Sequence, residues 1–127
     1  MRLLLDTHIF YWSVFENYRL PSDFVESLKN LENEIFLSNV SLWEMAVKSG
    51  LGKLTLPESF FLEFSPEKHG LNTLAIDPRH LETYRYLPLH HRDPFDRMLI
   101  AQAQYEDLTL VTHDPEMKRY KISVMEP

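Results

Sequence analysis

At 127 residues, with 44% hydrophobic and 25% charged side chains, the chain reads as one soluble globular domain spanning 1–127, large enough to bury a core. No apolar run nears the roughly 20 residues of a membrane span, and the absence of cysteine excludes disulfides and thiolate metal sites and fits a reducing cytoplasm. Nineteen acids against 13 bases give a net charge of −6, which argues against a nucleic-acid partner unless several acids share one metal-neutralised site.

In chain order, RLLL (2–5) is a short apolar run and predicts a buried strand. Asp6 follows at once, so MRLLLDTH lacks the apolar stretch of a signal peptide. HIFYWSVFEN (8–17) predicts a helix that is apolar nearly all round, by default through core packing. After Pro21, SDFVESLKNLEN places Phe24, Val25, Leu28 and Leu31 at helical spacing behind a Ser/Asp start. EIFLSN (34–39) predicts a second strand, and SLWEMAVKSG (41–50) a helix closing at Gly50. LGKLTL is an irregular link and PESFFLEF a short helix. LNTLAI (71–76) predicts a third strand, DPRHLETYRYL a helix, and DPFDRMLIAQAQYED the best helix of the chain. LTLVT (108–112) and KISVME (121–126) predict the last two strands. Alternation of this kind predicts an α/β fold with a mainly parallel sheet of four to five strands.

In such a sheet the helices run back against the strands, so helix N-termini and strand C-termini share one edge, where open α/β folds place their sites. Asp6 and Asp114 follow strands, Glu44 lies in the first turn of a helix, and Asp93 and Asp96 open another; topology brings all five to that edge. Each also has a plain structural reading. Ser41-Leu42-Trp43-Glu44 has the form of a capping box. Asp93-Pro94 and Asp114-Pro115 have the form of an N-cap followed by proline, as has Asp77-Pro78, where nothing suggests chemistry. Asp6 can cap the helix that follows it. Capping leaves the company unexplained: crowded carboxylates repel and raise each other's pKa unless a cation compensates. Hard Mg²⁺ or Mn²⁺ takes oxygen ligands, and an all-carboxylate site without a nucleophile suits metal-assisted hydrolysis of a phosphodiester.

Asp6 after an apolar strand, SLWEMAVKSGLGKL, HRDPFDRMLIAQA and LVTHDPEMKRY together resemble the PIN-domain ribonucleases, closest to the VapC-type toxins of type II toxin–antitoxin systems. The resemblance runs from residue 2 to about 125. It implies a PIN-like, Rossmann-like three-layer domain and an endoribonuclease that uses Mg²⁺ or Mn²⁺ and leaves a 3′-hydroxyl and a 5′-phosphate. It makes Asp6, Asp96 and Glu44 metal-site acids, with Asp114 as the fourth. Asp93 matches a recurring acid of the DPFDR variant and stands between helix cap and functional acid. Thr7 and Thr112 stand beside the acids and are expected to hold a carboxylate, water or substrate through their hydroxyls. The partners implied are RNA, a VapB-like antitoxin and a second copy in a homodimer, in the cytoplasm; leftover apolar area on the first helix would suit either protein partner. The competing functional readings are a PIN nuclease acting in RNA processing or on structured DNA, and a mainly regulatory antitoxin- and DNA-binding module.

Of the bases near the edge, Lys48, Lys53, Arg92, Arg97, Lys118, Arg119 and Lys121, Arg97 has the best claim to an RNA phosphate because it adjoins Asp96 in a first turn. His90-His91 reads as a solvated turn after Pro88, with a phosphate contact as the second reading. Zinc is disfavoured, because adjacent histidines rarely reach one metal.

Overall fold

The computed structural model describes residues 1–127. Five strands, β1 (Arg2–Leu5), β2 (Glu34–Ser38), β3 (Leu71–Leu74), β4 (Thr109–Val111) and β5 (Ser123–Met125), form one sheet in the order β3-β2-β1-β4-β5. Every neighbouring pair is parallel. The helices are α1 (Thr7–Phe15), α2 (Ser22–Lys29), α3 (Asn39–Gly50), α4 (Phe60–Glu63), α5 (Pro78–Arg85) and α6 (Pro94–Glu106). This is the α/β architecture that the alternation predicts, with all five strands formed.

The period-2 geometry of the strands explains why both sheet faces are covered. Leu3 and Leu5 of β1 join Ile35, Leu37 and Val111 on one face, against Ile9 and Phe10 of α1 and Phe24 of α2. Leu4 and Leu110 point the other way, against Met98, Leu99 and Ile100 of α6. Each fully buried leucine contributes roughly 1.5–3 kcal/mol, so RLLL anchors both cores at once.

The strand order reverses beside β1: the chain first builds outward through β2 and β3, then returns to place β4 on β1's other side. Such a switch point opens a crevice at the strands' C-terminal ends. Asp6 stands in it, its backbone N–H donating to the Val111 carbonyl at 2.9 Å.

Two local features differ from expectation. Helix α3 begins at Asn39, because Ser38 ends β2 in an extended conformation and its hydroxyl accepts from the Val40 N–H at 3.1 Å. Ser41 and Glu44 therefore do not form a capping box, and Glu44 lies in the second turn rather than the first. Helix α2 stops at Lys29 instead of continuing to Asn33. By contrast, Asp93 caps α6 as its sequence suggests, accepting from the Phe95 and Asp96 N–H groups at 2.8 and 3.1 Å ahead of Pro94.

Candidate active site

The crevice holds a cleft of about 400 Å³ lined by Asp6, Glu44, Asp93, Asp96 and Asp114, with Lys48 as its one lysine and His8, Ile9, Trp12 and His113 as the remaining wall. All five acids expected at the edge are thus brought together, from four separate parts of the chain.

Asp6 is buried and fully engaged. One carboxylate oxygen accepts from the Thr7 N–H at 2.7 Å, capping α1, and the other from the Thr112 hydroxyl at 2.6 Å. Burial raises its pKa above the ordinary aspartate value, opposed by these two hydrogen bonds and reinforced by the charge of Glu44. Thr112 also accepts from the Asp114 N–H at 3.0 Å, tying the end of β4 to the end of β1. Glu44 accepts from the Thr7 hydroxyl at 2.7 Å through one oxygen and meets Lys48 Nζ at 2.7 Å through the other. Both threonines thus hold carboxylates. The Thr7 hydroxyl also lies 3.0 Å from that of buried Ser41. Burial disfavours the charge on Lys48, but the bond to Glu44 and the charges of Glu44, Asp96 and Asp93 outweigh it and hold its pKa above the usual lysine value.

Asp96 is strongly perturbed. Burial, then the charges of Asp6, Asp93, Glu44 and Asp114, push its pKa up to about 8. A neighbour that the sequence reading placed in a solvated turn softens this crowding: His91 Nε2 lies 3.1 Å from Asp96 Oδ2 and 2.9 Å from Asp114 Oδ2. The other ring nitrogen, Nδ1, accepts from the Asp93 N–H at 3.1 Å. That bond leaves Nε2 as the N–H of the neutral ring, so His91 donates to the pair of carboxylates. The loop carrying it is held by Tyr120, whose hydroxyl accepts from the His90 and His91 N–H groups at 3.0 and 2.8 Å.

Arg97 does not reach the cleft. Its guanidinium is buried over the Tyr84 ring, donates to the Pro88 and His91 carbonyls, and meets the Tyr120 hydroxyl. Adjacency to Asp96 in sequence is not adjacency in space, because successive helix residues point about 100° apart. Arg97 braces the loop that delivers His91. Lys118 and Arg119 are committed to Glu126 and Glu116. Lys48 was legible as the i+4 neighbour of Glu44. His91 left no comparable signal, since its partners lie 5 and 23 positions away.

The sequence matches the family model of the PIN domain over residues 3–122. No curated protein matches the chain. Among solved structures, it is similar to a chain of VapBC2 from Rickettsia felis bound to a promoter DNA fragment, at TM-score 0.76 and 20% identity over 98% of each chain. DNA-bound VapBC from Salmonella typhimurium follows at 0.73 and 19%, over 98% of this chain and 97% of that one. VapBC-1 from nontypeable Haemophilus influenzae gives 0.71 and 16%, over 99% and 98%. At these identities the structural likeness speaks for the fold. The family match takes in Asp6, Glu44, Asp93, Asp96 and Asp114 together with the strands that gather them, and by it the chain belongs to the PIN-domain family.

Proposed function

We propose that this protein is a divalent-cation-dependent endoribonuclease, the toxin of a type II toxin–antitoxin pair. The observation that carries the reading is the convergence of five carboxylates in one cleft, with Asp96 driven up to about pKa 8 by burial and by the other four. Such crowding is a standing electrostatic deficit that a hard cation relieves, and the donor set, all carboxylate oxygen with no thiolate, suits Mg²⁺ or Mn²⁺. Asp6, Asp96 and Asp114 would hold the ion, with Glu44 completing the set. Bound there, the ion would supply Lewis acidity, lowering the pKa of an attacking water and screening the phosphate.

The chain's own groups do the positioning. Thr7 and Thr112 fix both oxygens of Asp6, and Thr7 with Lys48 fixes Glu44. His91 keeps Asp96 and Asp114 within reach of one donor. Burial and the neighbouring acids favour a proton on Asp96 up to about pH 8, and a cation held there would displace it. Asp93 acts first as the cap that aims Asp96 into the cleft; whether it also contributes as an acid is separable by substitution.

An antitoxin partner and a homodimer belong to the same reading. Trp43 and Val47 on α3 and Leu51 at its C-cap are exposed at i, i+4 and i+8, with exposed Phe61 and Leu62 on α4. This apolar stripe gives a protein partner something to cover. No helix is long and apolar enough to cross a membrane.

The test is incubation of the purified protein with RNA in Mn²⁺ or Mg²⁺, with and without EDTA. Cleavage that stops in EDTA, returns with excess Mn²⁺ and leaves 5′-phosphate ends is expected. Cleavage insensitive to EDTA would remove the metal from the mechanism, and an absence of cleavage in either metal would count against the nuclease.

A further inference from the structure

The acidic floor of the cleft accounts for only part of its lining. Beside Ile9, its remaining wall is aromatic: His8 and Trp12, at i and i+4 on α1, and His113, two residues past β4. The Trp12 ring lies 5.9 Å from the His8 ring and 5.6 Å from that of His113, both edge-on. The Arg19 guanidinium sits over the indole at 5.6 Å from its centroid. Trp12 is only half-buried, and its ring borders the same space as Asp6 and Asp96.

We propose that Trp12, flanked by His8 and His113, is a nucleobase-stacking subsite that takes an unpaired base of single-stranded RNA next to the phosphate to be cut. The proposal rests on the nuclease reading above and adds to it what holds the substrate. A polyanion gains little from this cleft by charge alone: Lys48 is its one lysine, and Lys48 is already committed to Glu44. Arg97, the base that adjoins Asp96 in sequence, is buried in another contact. Base–aromatic stacking is a sequence-tolerant source of affinity that this wall offers beside charge. A base has to be unstacked to lie on an indole, which selects single strands, loops and ends over duplex. Arg19, over the ring, is paired with Glu16 at 3.1 Å and so supplies no free cation for a neighbouring phosphate.

A purely structural role for Trp12 would also conserve its bulk, since the residue packs partly against the core under α1. The variants must therefore separate shape from π-face. Trp12→Leu keeps apolar volume without an aromatic ring, and Trp12→Phe restores one. For the wild type and both variants, kcat and KM are measured on an unstructured RNA oligonucleotide in Mn²⁺. Binding is read separately, in EDTA, by fluorescence. The chain has two tryptophans, and Trp43 is exposed on α3 outside the cleft, so Trp43→Phe leaves Trp12 as the reporter.

Expected for Trp12→Leu is a KM raised about ten-fold or more, the scale of one lost stack, with kcat within about two-fold. Trp12→Phe should recover most of the loss. The oligonucleotide should quench Trp12 saturably, and its duplex should not. A folded Trp12→Leu protein with unchanged KM, or a Trp12 signal that RNA does not move, overturns the subsite. Failure of the wild type to cut RNA at all would instead count against the nuclease, and the quenching arm would still decide the subsite.

Discussion

Glu44 holds a partner on each of its oxygens, Thr7 on one and Lys48 on the other, while Asp96 and Asp114 share the single donor of His91. Burial first, and then the charges of Asp6, Asp93, Glu44 and Asp114, raise the pKa of Asp96 to about 8. A glutamine at position 44 can still accept from Thr7 but gives up the pair with Lys48 and removes one negative charge from the cluster. The lost charge-assisted bond and the relieved repulsion work in opposite directions on stability. Glu44→Gln should therefore melt close to the wild type, yet cleave RNA at least ten-fold more slowly. Wild-type cleavage by the folded variant would leave Glu44 a purely structural acid. From sequence, Glu44 looked equally like half of a capping box. Only the register of α3, set by Ser38 one step before the helix, removes that reading.

At the scale of the element, capping and clustering turn out not to be rivals. Asp6 caps α1, Asp93 caps α6, and Asp114 caps a 3₁₀ turn over Pro115–Arg119, and all three line the cleft. A cap sits at a helix N-terminus, and in a parallel sheet every such terminus lies at the same edge, so the two roles coincide by topology. Asp77 shows the device without the cleft: it caps α5, with its own N–H donating to His80 Nδ1. That bond leaves His80 Nε2 to donate to Glu106, so the Asp77–His80–Glu106 cluster is a satisfied hydrogen-bond set between α5 and α6. For Asp93 the two roles can be pulled apart. Asp93→Ala should cost about 0.5–2 kcal/mol in denaturant unfolding, while Asp93→Asn, an equally good cap, should cost little. Cleavage by Asp93→Asn then reports on the charge alone: near-wild-type activity makes Asp93 a cap, and a large loss makes it a working acid. The strands and the acids were legible because periodicity and strand–helix order are local signals. The His91 bridge and the inward turn of Arg97 were not, since both depend on how a loop without periodicity packs against Tyr120.

For the molecule as a whole, the crowded cleft makes stability depend on pH in a direction opposite to that of an ordinary paired carboxylate. In the unfolded chain Asp96 loses its proton near pH 4, whereas in the folded, metal-free protein it keeps it to about 8. Between those values the folded state binds the extra proton, so raising the pH withdraws stability, with the loss complete above about 8. Burial shifts Asp6 in the same direction. A cation that binds only the folded state should reverse the loss. Asp96→Asn carries no titrating group and should flatten this part of the profile. The most direct measurement takes both properties from one preparation of Asp96→Asn: its thermal melt at pH 8 in EDTA and in Mn²⁺, and its cleavage of RNA. The expected result is a protein that melts at or above the wild type in EDTA, gains little from Mn²⁺, and does not cut RNA. Cleavage at the wild-type rate, or an undiminished stabilisation by Mn²⁺, would contradict an acidic cleft built to hold a catalytic cation.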